Sequence, residues 1–123
     1  MLVEFNSKFA KSKEDLICSV IGFGQSALFP NEQDVFINIE AVRQEGLCGD
    51  CMFEDDSEFT LRLNKSLSIK ELVTTVLHEL VHVKQYLDCM VMDLESRYED
   101  RWQEIEAHDK EKHLTESYFE FIR

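Results

Sequence analysis

One helical pattern, from Ser68 to Met90, constrains the fold of this chain more than any other stretch. Its sequence is SIKELVTTVLHELVHVKQYLDCM. Ser68 followed by Glu71 matches a capping box, which marks a helix N-terminus. Apolar residues then recur at i, i+3, i+4 and i+7 spacing, at Ile69, Val73, Val76, Leu80, Val83 and Leu87. The pattern predicts a helix that buries this side in a core and presents its opposite side to a cleft.

That opposite side carries an HExxH motif formed by His78, Glu79 and His82. Four residues make about one helical turn, so the two imidazoles project from the same face and can share one tetrahedral Zn²⁺. Glu79 lies about 100° around the helix from His78, beside such a metal, where a general base for an activated water belongs. The motif also occurs by chance on surface helices, but the helical context favours a metal site.

A catalytic zinc site needs a third protein ligand and an open fourth position. The downstream candidates are Glu104, Glu106, His108, Asp109 and His113. Glu104 and His108 form an i, i+4 pair on a different helix face from Glu106, so these three cannot all point at one ion. Residue type and spacing therefore leave the third ligand open.

Two segments carry a resemblance to a known group of enzymes. HELVHVKQY at 78–86 and EIEA at 104–107 resemble the small gluzincin-type metallopeptidases found in phage genomes. They are also similar to ImmA/IrrE-like peptidases and, more loosely, to SprT-like zinc proteases, mainly across residues 58–111. The resemblance implies a zinc metalloendopeptidase in which His78, His82 and Glu106 bind one Zn²⁺ and Glu79 is the base. It also implies a minimal zincin-like fold.

Peptide hydrolysis would need further polar groups around the metal. A donor for the developing oxyanion could come from Tyr98 or His108, or from Tyr86 or His113. Carboxylates are expected to orient the zinc histidines, with Asp109 and Glu71 as candidates. The sequence does not choose among these side chains, each of which is individually more often packed or solvated.

The remaining segments predict one small α+β domain spanning residues 1–123. Helical spacing follows Ser12, a plausible N-cap, and we expect Gly22 and Gly24 to end that N-terminal helix. After the HExxH helix, residues 88–100 lose amphipathic spacing and are predicted to connect to a C-terminal helix at 101–123, which would carry the third ligand.

Alternating residues predict the sheet. DVFINIE at 34–40 has apolar character on both faces, which is typical of a central strand, and EFTLRLN at 58–64 alternates in the same way. A short strand near 51–54 is expected between them. These segments predict a small mixed or antiparallel sheet of about three to four strands. Residues 58–64 could leave an edge to which an extended peptide adds itself.

Composition limits the partners. The net charge of −12 and the pI of about 4.6 disfavour direct binding to nucleic acid or to an anionic membrane. No apolar run approaches the length of a membrane span, and the N-terminus lacks the apolar region of a signal peptide. We expect a cytoplasmic protein, in the host cytoplasm if it is phage-encoded, with a peptide or protein as its partner. The oligomeric state stays open.

Four cysteines, Cys18, Cys48, Cys51 and Cys89, are expected to be free thiols in such a chain. Cys48 and Cys51 form a single CxxC, and a Cys₄ metal site would have to recruit the other two from distant segments.

Two other classes of function compete with hydrolysis. One is a non-catalytic zinc domain that binds a partner, although such a site has no need of Glu79 beside the metal. The other is a metal-free acidic interaction module, which predicts no zinc and no effect of chelators.

Overall fold

The computed structural model describes residues 1–55 and 57–123. These residues form three helices and a four-stranded sheet, which confirms the predicted α+β class. In chain order the elements are β1 (Leu2–Phe5), α1 (Lys11–Leu28), β2 (Phe36–Val42), β3 (Gly49–Asp55), β4 (Glu58–Asn64), α2 (Ile69–Leu87), a 3₁₀ turn (Tyr98–Asp100) and α3 (Trp102–Phe121).

The sheet is mixed, with strand order β1-β2-β4-β3. β2 runs parallel to β1 and to β4, with Ile37 opposite Phe59 in the second pair. β3 pairs with β4 antiparallel, with Cys51 opposite Leu61. β2 is interior, as predicted, and β4, which could have left an edge, is interior as well. Within the described part of the chain β3 is the edge strand on that side.

The core lies between one face of the sheet and helices α1 and α2. Alternate residues of the two interior strands point into it, so Ile37, Ile39, Phe59, Leu61 and Leu63 are fully buried. The predicted apolar side of α2 packs against them through Val73, Val76, Leu80 and Val83, whereas Ile69 at the first turn stays exposed. This packing fixes the rotation of α2, so its histidines face away from the core. No helix in the described ranges is long and apolar enough to cross a bilayer.

Helix α1 differs from its prediction at both ends. It begins after Ala10, not at Ser12, and it continues through Gly22 and Gly24 to Leu28. Gly24 lies where the two helices meet: a Cβ at this position would lie 2.4 Å from Leu80 Cδ1 of α2. The glycine therefore lets α1 approach the helix that carries the histidines.

We expect Gly24→Ala to lower the free energy of unfolding by about 1 kcal/mol or more. The added methyl overpacks fully buried Leu80, and this cost exceeds the gain in helix propensity. Gly22→Ala is the matched control in the same helix, because a Cβ there has nothing within 4 Å. It should stabilise by about 0.5–1 kcal/mol. Urea denaturation of both variants measures the difference, and equal stability of the two would contradict the close approach.

Candidate metal centre

Helix α2 begins at the predicted capping box and presents both histidines near its middle. Ser68 Oγ accepts a hydrogen bond from the Glu71 amide at 3.2 Å, and the Glu71 carboxylate accepts one from the Ser68 amide at 2.9 Å. One turn apart, the rings of His78 and His82 lie 4.9 Å from each other between their centroids. Both are buried, as is Glu79. The three polar side chains therefore share one recess, in which each is largely shielded from solvent.

Helix α3 packs antiparallel against this side of α2. Thr115 lies 3.1 Å from Thr74 between hydroxyl oxygens, while Glu104 at the other end of α3 meets His82. Ala107 on α3 is fully buried, and its small side chain permits the close approach of the two helices. The side chains that α3 directs toward α2 recur at i, i+4, i+7 and i+11, at Glu104, His108, Glu111 and Thr115.

Glu104 is the carboxylate that meets both histidines. Its Oε1 lies 3.0 Å from His78 Nε2, and its Oε2 lies 3.1 Å from His82 Nε2. The ligating atoms of these three side chains all lie within 4.8 Å of one another. The structure thus positions His78, His82 and Glu104 to bind a metal ion.

Glu106, the third ligand implied by the family resemblance, lies outside this group of converging atoms. Residues two apart on a helix point about 200° away from each other, so only one of Glu104 and Glu106 can face the histidines. Glu106 instead accepts a hydrogen bond from Gln85 Nε2 at 2.8 Å. Its other carboxylate oxygen lies 3.6 Å from Lys110 Nζ.

The second nitrogen of each histidine also has a partner. His82 Nδ1 lies 2.8 Å from Gln85 Oε1, and the buried Gln85 is fixed in turn by the Gln103 carbonyl at 3.1 Å. His78 Nδ1 lies 3.5 Å from Glu111 Oε1, to which His108 also donates. Partners of this kind hold the rings so that both Nε2 atoms face Glu104.

The orienting residues were not those expected from sequence. Glu71 caps α2, and Asp109 lies exposed on α3 away from the metal-binding group. Gln85 stands three residues after His82, and Glu111 stands seven after Glu104 on the same helix face. Both spacings can be read from the sequence, but only the packing of α3 on α2 shows that these two side chains contact the histidines.

The carboxylates change how readily the histidines lose their protons. Burial disfavours the charged form of His78, but hydrogen bonds to Glu104 and Glu111 outweigh it and raise the pKa to about 10. For His82 burial is likewise outweighed by Glu104 and Gln85, and its pKa is raised. Burial of Glu104 is outweighed by the same histidines, which hold the pKa of that carboxyl well below its usual range. Protons and a cation therefore compete for the same nitrogen atoms.

Glu79 lies in the same recess but has a different electrostatic environment. Burial raises the pKa of its carboxyl to about 7, although His78 and His82 favour its ionised form. A carboxyl with such a pKa can accept and release a proton near neutral pH.

Tyr98 and His108 both reach the site, as the sequence allowed. The Tyr98 hydroxyl donates to Glu104 Oε1 at 2.7 Å and lies 3.4 Å from His108 Nε2. Burial and the neighbouring Glu104 carboxylate raise the pKa of Tyr98 well above its usual range. The phenol therefore remains a hydrogen-bond donor across the neutral pH range.

A cavity of about 760 Å³ contains this group of side chains. α2 and α3 contribute polar side chains, among them Glu79 and Glu111, and the start of β3 forms another wall. β3 approaches α2 closely at Gly49, where a Cβ would lie 2.8 Å from Thr75 Cγ2. The edge strand of the sheet therefore borders the metal-binding group.

The four cysteines are free thiols. Cys48 and Cys51 line the cavity, and burial raises the pKa of the Cys51 thiol well above its usual value. Among the residues that the structure describes, no cysteine joins the metal-binding group of His78, His82 and Glu104.

Comparison with protein-family models, with curated proteins and with solved structures gives no match.

Proposed function

We propose that this protein is a zinc-dependent metallopeptidase in which His78, His82 and Glu104 hold one Zn²⁺ and Glu79 is the general base. The observation that carries the proposal is the position of this group: three converging ligands and a buried carboxyl share one cavity. The resemblance of HELVHVKQY to gluzincin-type metallopeptidases supports the same reaction.

The donor set fits zinc. Two imidazole nitrogens and one carboxylate oxygen are ligands that Zn²⁺ takes in catalytic sites, where three protein ligands leave a fourth position open. Ligands at about 2.1 Å in a tetrahedron lie about 3.4 Å from one another. The distances of 3.0 and 3.1 Å from the two Nε2 atoms to Glu104 require only a small separation of the side chains.

In the proposed hydrolysis, the metal ligands, Glu79 and Tyr98 have different roles. When bound, Zn²⁺ would polarise the scissile carbonyl and lower the pKa of a water molecule. Glu79 accepts the proton of the attacking water and then delivers it to the leaving nitrogen, because its buried carboxyl lies in the same cavity as the converging ligands. The single O–H of Tyr98, which donates to Glu104 in the metal-free site, would turn to the oxygen on which charge develops.

The edge strand gives the substrate a place to bind. β3 borders the cavity and has β4 as its only neighbouring strand among the described residues. An extended peptide could add to its outer side through main-chain hydrogen bonds, which would lay the scissile bond across the metal-binding group.

Zinc content and hydrolysis can be tested on the same sample. We expect protein purified without a histidine tag to take up one equivalent of zinc, measured by elemental analysis. The zinc-loaded protein should cleave members of a mixed peptide library, detected by mass spectrometry. Cleavage should stop after treatment with a chelator and return when zinc is added back.

Two outcomes would overturn the proposal. Zinc uptake without cleavage of any library peptide would leave a non-catalytic zinc domain. A protein that takes up no zinc would leave an acidic binding module in which the histidines are ion-paired with Glu104.

A further inference from the structure

We propose that the segment between α2 and α3, residues 88–101, determines specificity by selecting peptides with a large apolar side chain near the bond to be cleaved. This inference rests on the proposed peptidase function and names the class of its substrate. We call these residues the α2–α3 segment.

The α2–α3 segment presents apolar side chains to the cavity that contains the metal-binding group. Met92, Leu94 and Tyr98 all line it, and Leu47 and Tyr86 add apolar surface from other walls. Leu94 is 74% exposed. Single exposed leucines are common, but here several apolar side chains border one concave site. Tyr98 connects this surface to the chemistry, because its hydroxyl donates to Glu104.

Hydrogen bonds hold the α2–α3 segment in place. The Gln103 side chain makes two bonds to the backbone of Asp93, accepting from its N–H at 3.2 Å and donating to its carbonyl at 2.7 Å. Trp102 Nε1 donates to the Val91 carbonyl at 3.1 Å. Arg101 Nε donates to a third carbonyl of the segment, that of Ser96, at 3.0 Å. An apolar surface fixed in this way needs little ordering when a ligand binds.

The same short stretch of chain positions the apolar surface and the proposed ligand. Trp102 and Gln103, the first two residues of α3, bind the α2–α3 segment, and the next residue, Glu104, faces both histidines. The distance between apolar wall and metal-binding group is therefore set by the start of α3. A side chain buried against Leu94 would thus bring one particular peptide bond to the reacting group.

Charge restricts the peptide further. The chain carries a net charge of −12, so an acidic peptide would be repelled as it approaches. The apolar side chain is therefore expected within a neutral or basic stretch of the substrate.

The test measures binding separately from cleavage. Zinc-loaded Glu79→Gln protein is immobilised and equilibrated with a mixed peptide library, and the retained peptides are sequenced by mass spectrometry. We expect leucine, methionine or phenylalanine to be enriched about tenfold or more at one position, the size that burial of one such side chain supplies. Leu94→Ser, made in the same background, should abolish this enrichment.

Val91→Ser is the matched control. Val91 lies on the same segment and is 87% exposed, but its side chain does not line the cavity, and its carbonyl bond to Trp102 survives the substitution. It should leave the enrichment unchanged.

An apolar enrichment that survives Leu94→Ser, or a library retained without apolar preference, would overturn the inference. Failure of the peptidase proposal would give a different result. The wild-type protein would cleave no peptide, while the immobilised protein would still retain apolar peptides in a way that depends on Leu94.

Discussion

Glutamine in place of Glu79 is expected to lower kcat for peptide hydrolysis by about 10² to 10⁴-fold, while one equivalent of zinc stays bound. Glutamine keeps the shape of the side chain but cannot accept a proton from water. Glu79 is not among the side chains that converge as ligands, so metal content should not change. Elemental analysis and steady-state kinetics on one cleaved library peptide measure the two effects independently.

Glu120→Gln is the matched control for loss of one carboxylate. Glu120 is exposed near the end of α3, where it pairs with Arg123 far from the cavity lining. Its substitution should leave both kcat and zinc content unchanged. Hydrolysis by Glu79→Gln at the wild-type rate would remove Glu79 from the mechanism and refute the proposed role of the HExxH glutamate.

The same Glu79 substitution should change how the stability of the metal-free protein depends on pH. Burial raises the pKa of Glu79 from its ordinary 4.5 to about 7 in the folded state. Ionisation thus destabilises the fold progressively as pH rises between these values, and the penalty is complete above about pH 7. Glutamine has no such proton to lose. Glu79→Gln should therefore gain stability relative to wild type between about pH 5 and pH 8, measured by urea denaturation.

Sequence predicted the parts of the site that one helix encodes by itself. The capping box fixes where α2 begins, and the apolar stripe fixes which side it buries, so His78 and His82 had to face the opposite side. Each of these signals lies within a few residues of the feature it determines, and each is found in the structure.

Which glutamate becomes the third ligand depends on how α3 is rotated about its own axis, and the sequence indicates this rotation only weakly. Of the four residues that α3 buries, Gln103, Ala107, Thr115 and Tyr118, none is a large aliphatic. Its periodicity therefore gives little indication of which face meets α2. The resemblance favoured Glu106, whereas packing through Ala107 brings Glu104 to the histidines.

The order of the strands in the sheet could not be predicted from the sequence, because it too depends on contacts between distant segments. Alternation identified β2 and β4, but strand pairing joins residues far apart in sequence, such as Ile37 and Phe59. β4 therefore became interior when β3 paired with its other side. Tertiary contacts also determine where α1 ends. Gly24 would weaken an isolated helix, but here the helix continues because the glycine packs against Leu80.

Glu104→Gln is expected to weaken zinc binding by about 10²-fold or more, because among the described residues Glu104 alone places a carboxylate against both histidines. The neutral amide supplies a poorer ligand and no negative charge to balance the cation. Competition with a chromophoric chelator, at a pH high enough that protons do not displace the metal, measures the change in affinity.

Glu106→Gln is the matched comparison on the same helix, with the same change of side chain and of net charge. Its amide oxygen can still accept the hydrogen bond from Gln85, so His82 stays oriented and zinc affinity should fall by less than about tenfold.

The opposite result, with zinc lost in Glu106→Gln and kept in Glu104→Gln, would require α3 to rotate by about 200° when the metal binds. Such a rotation would withdraw Ala107 from its fully buried position and break the bonds from Gln103 to the α2–α3 segment. The two variants therefore decide at once which glutamate binds zinc and whether the metal-free packing of α3 is already the metal-binding one.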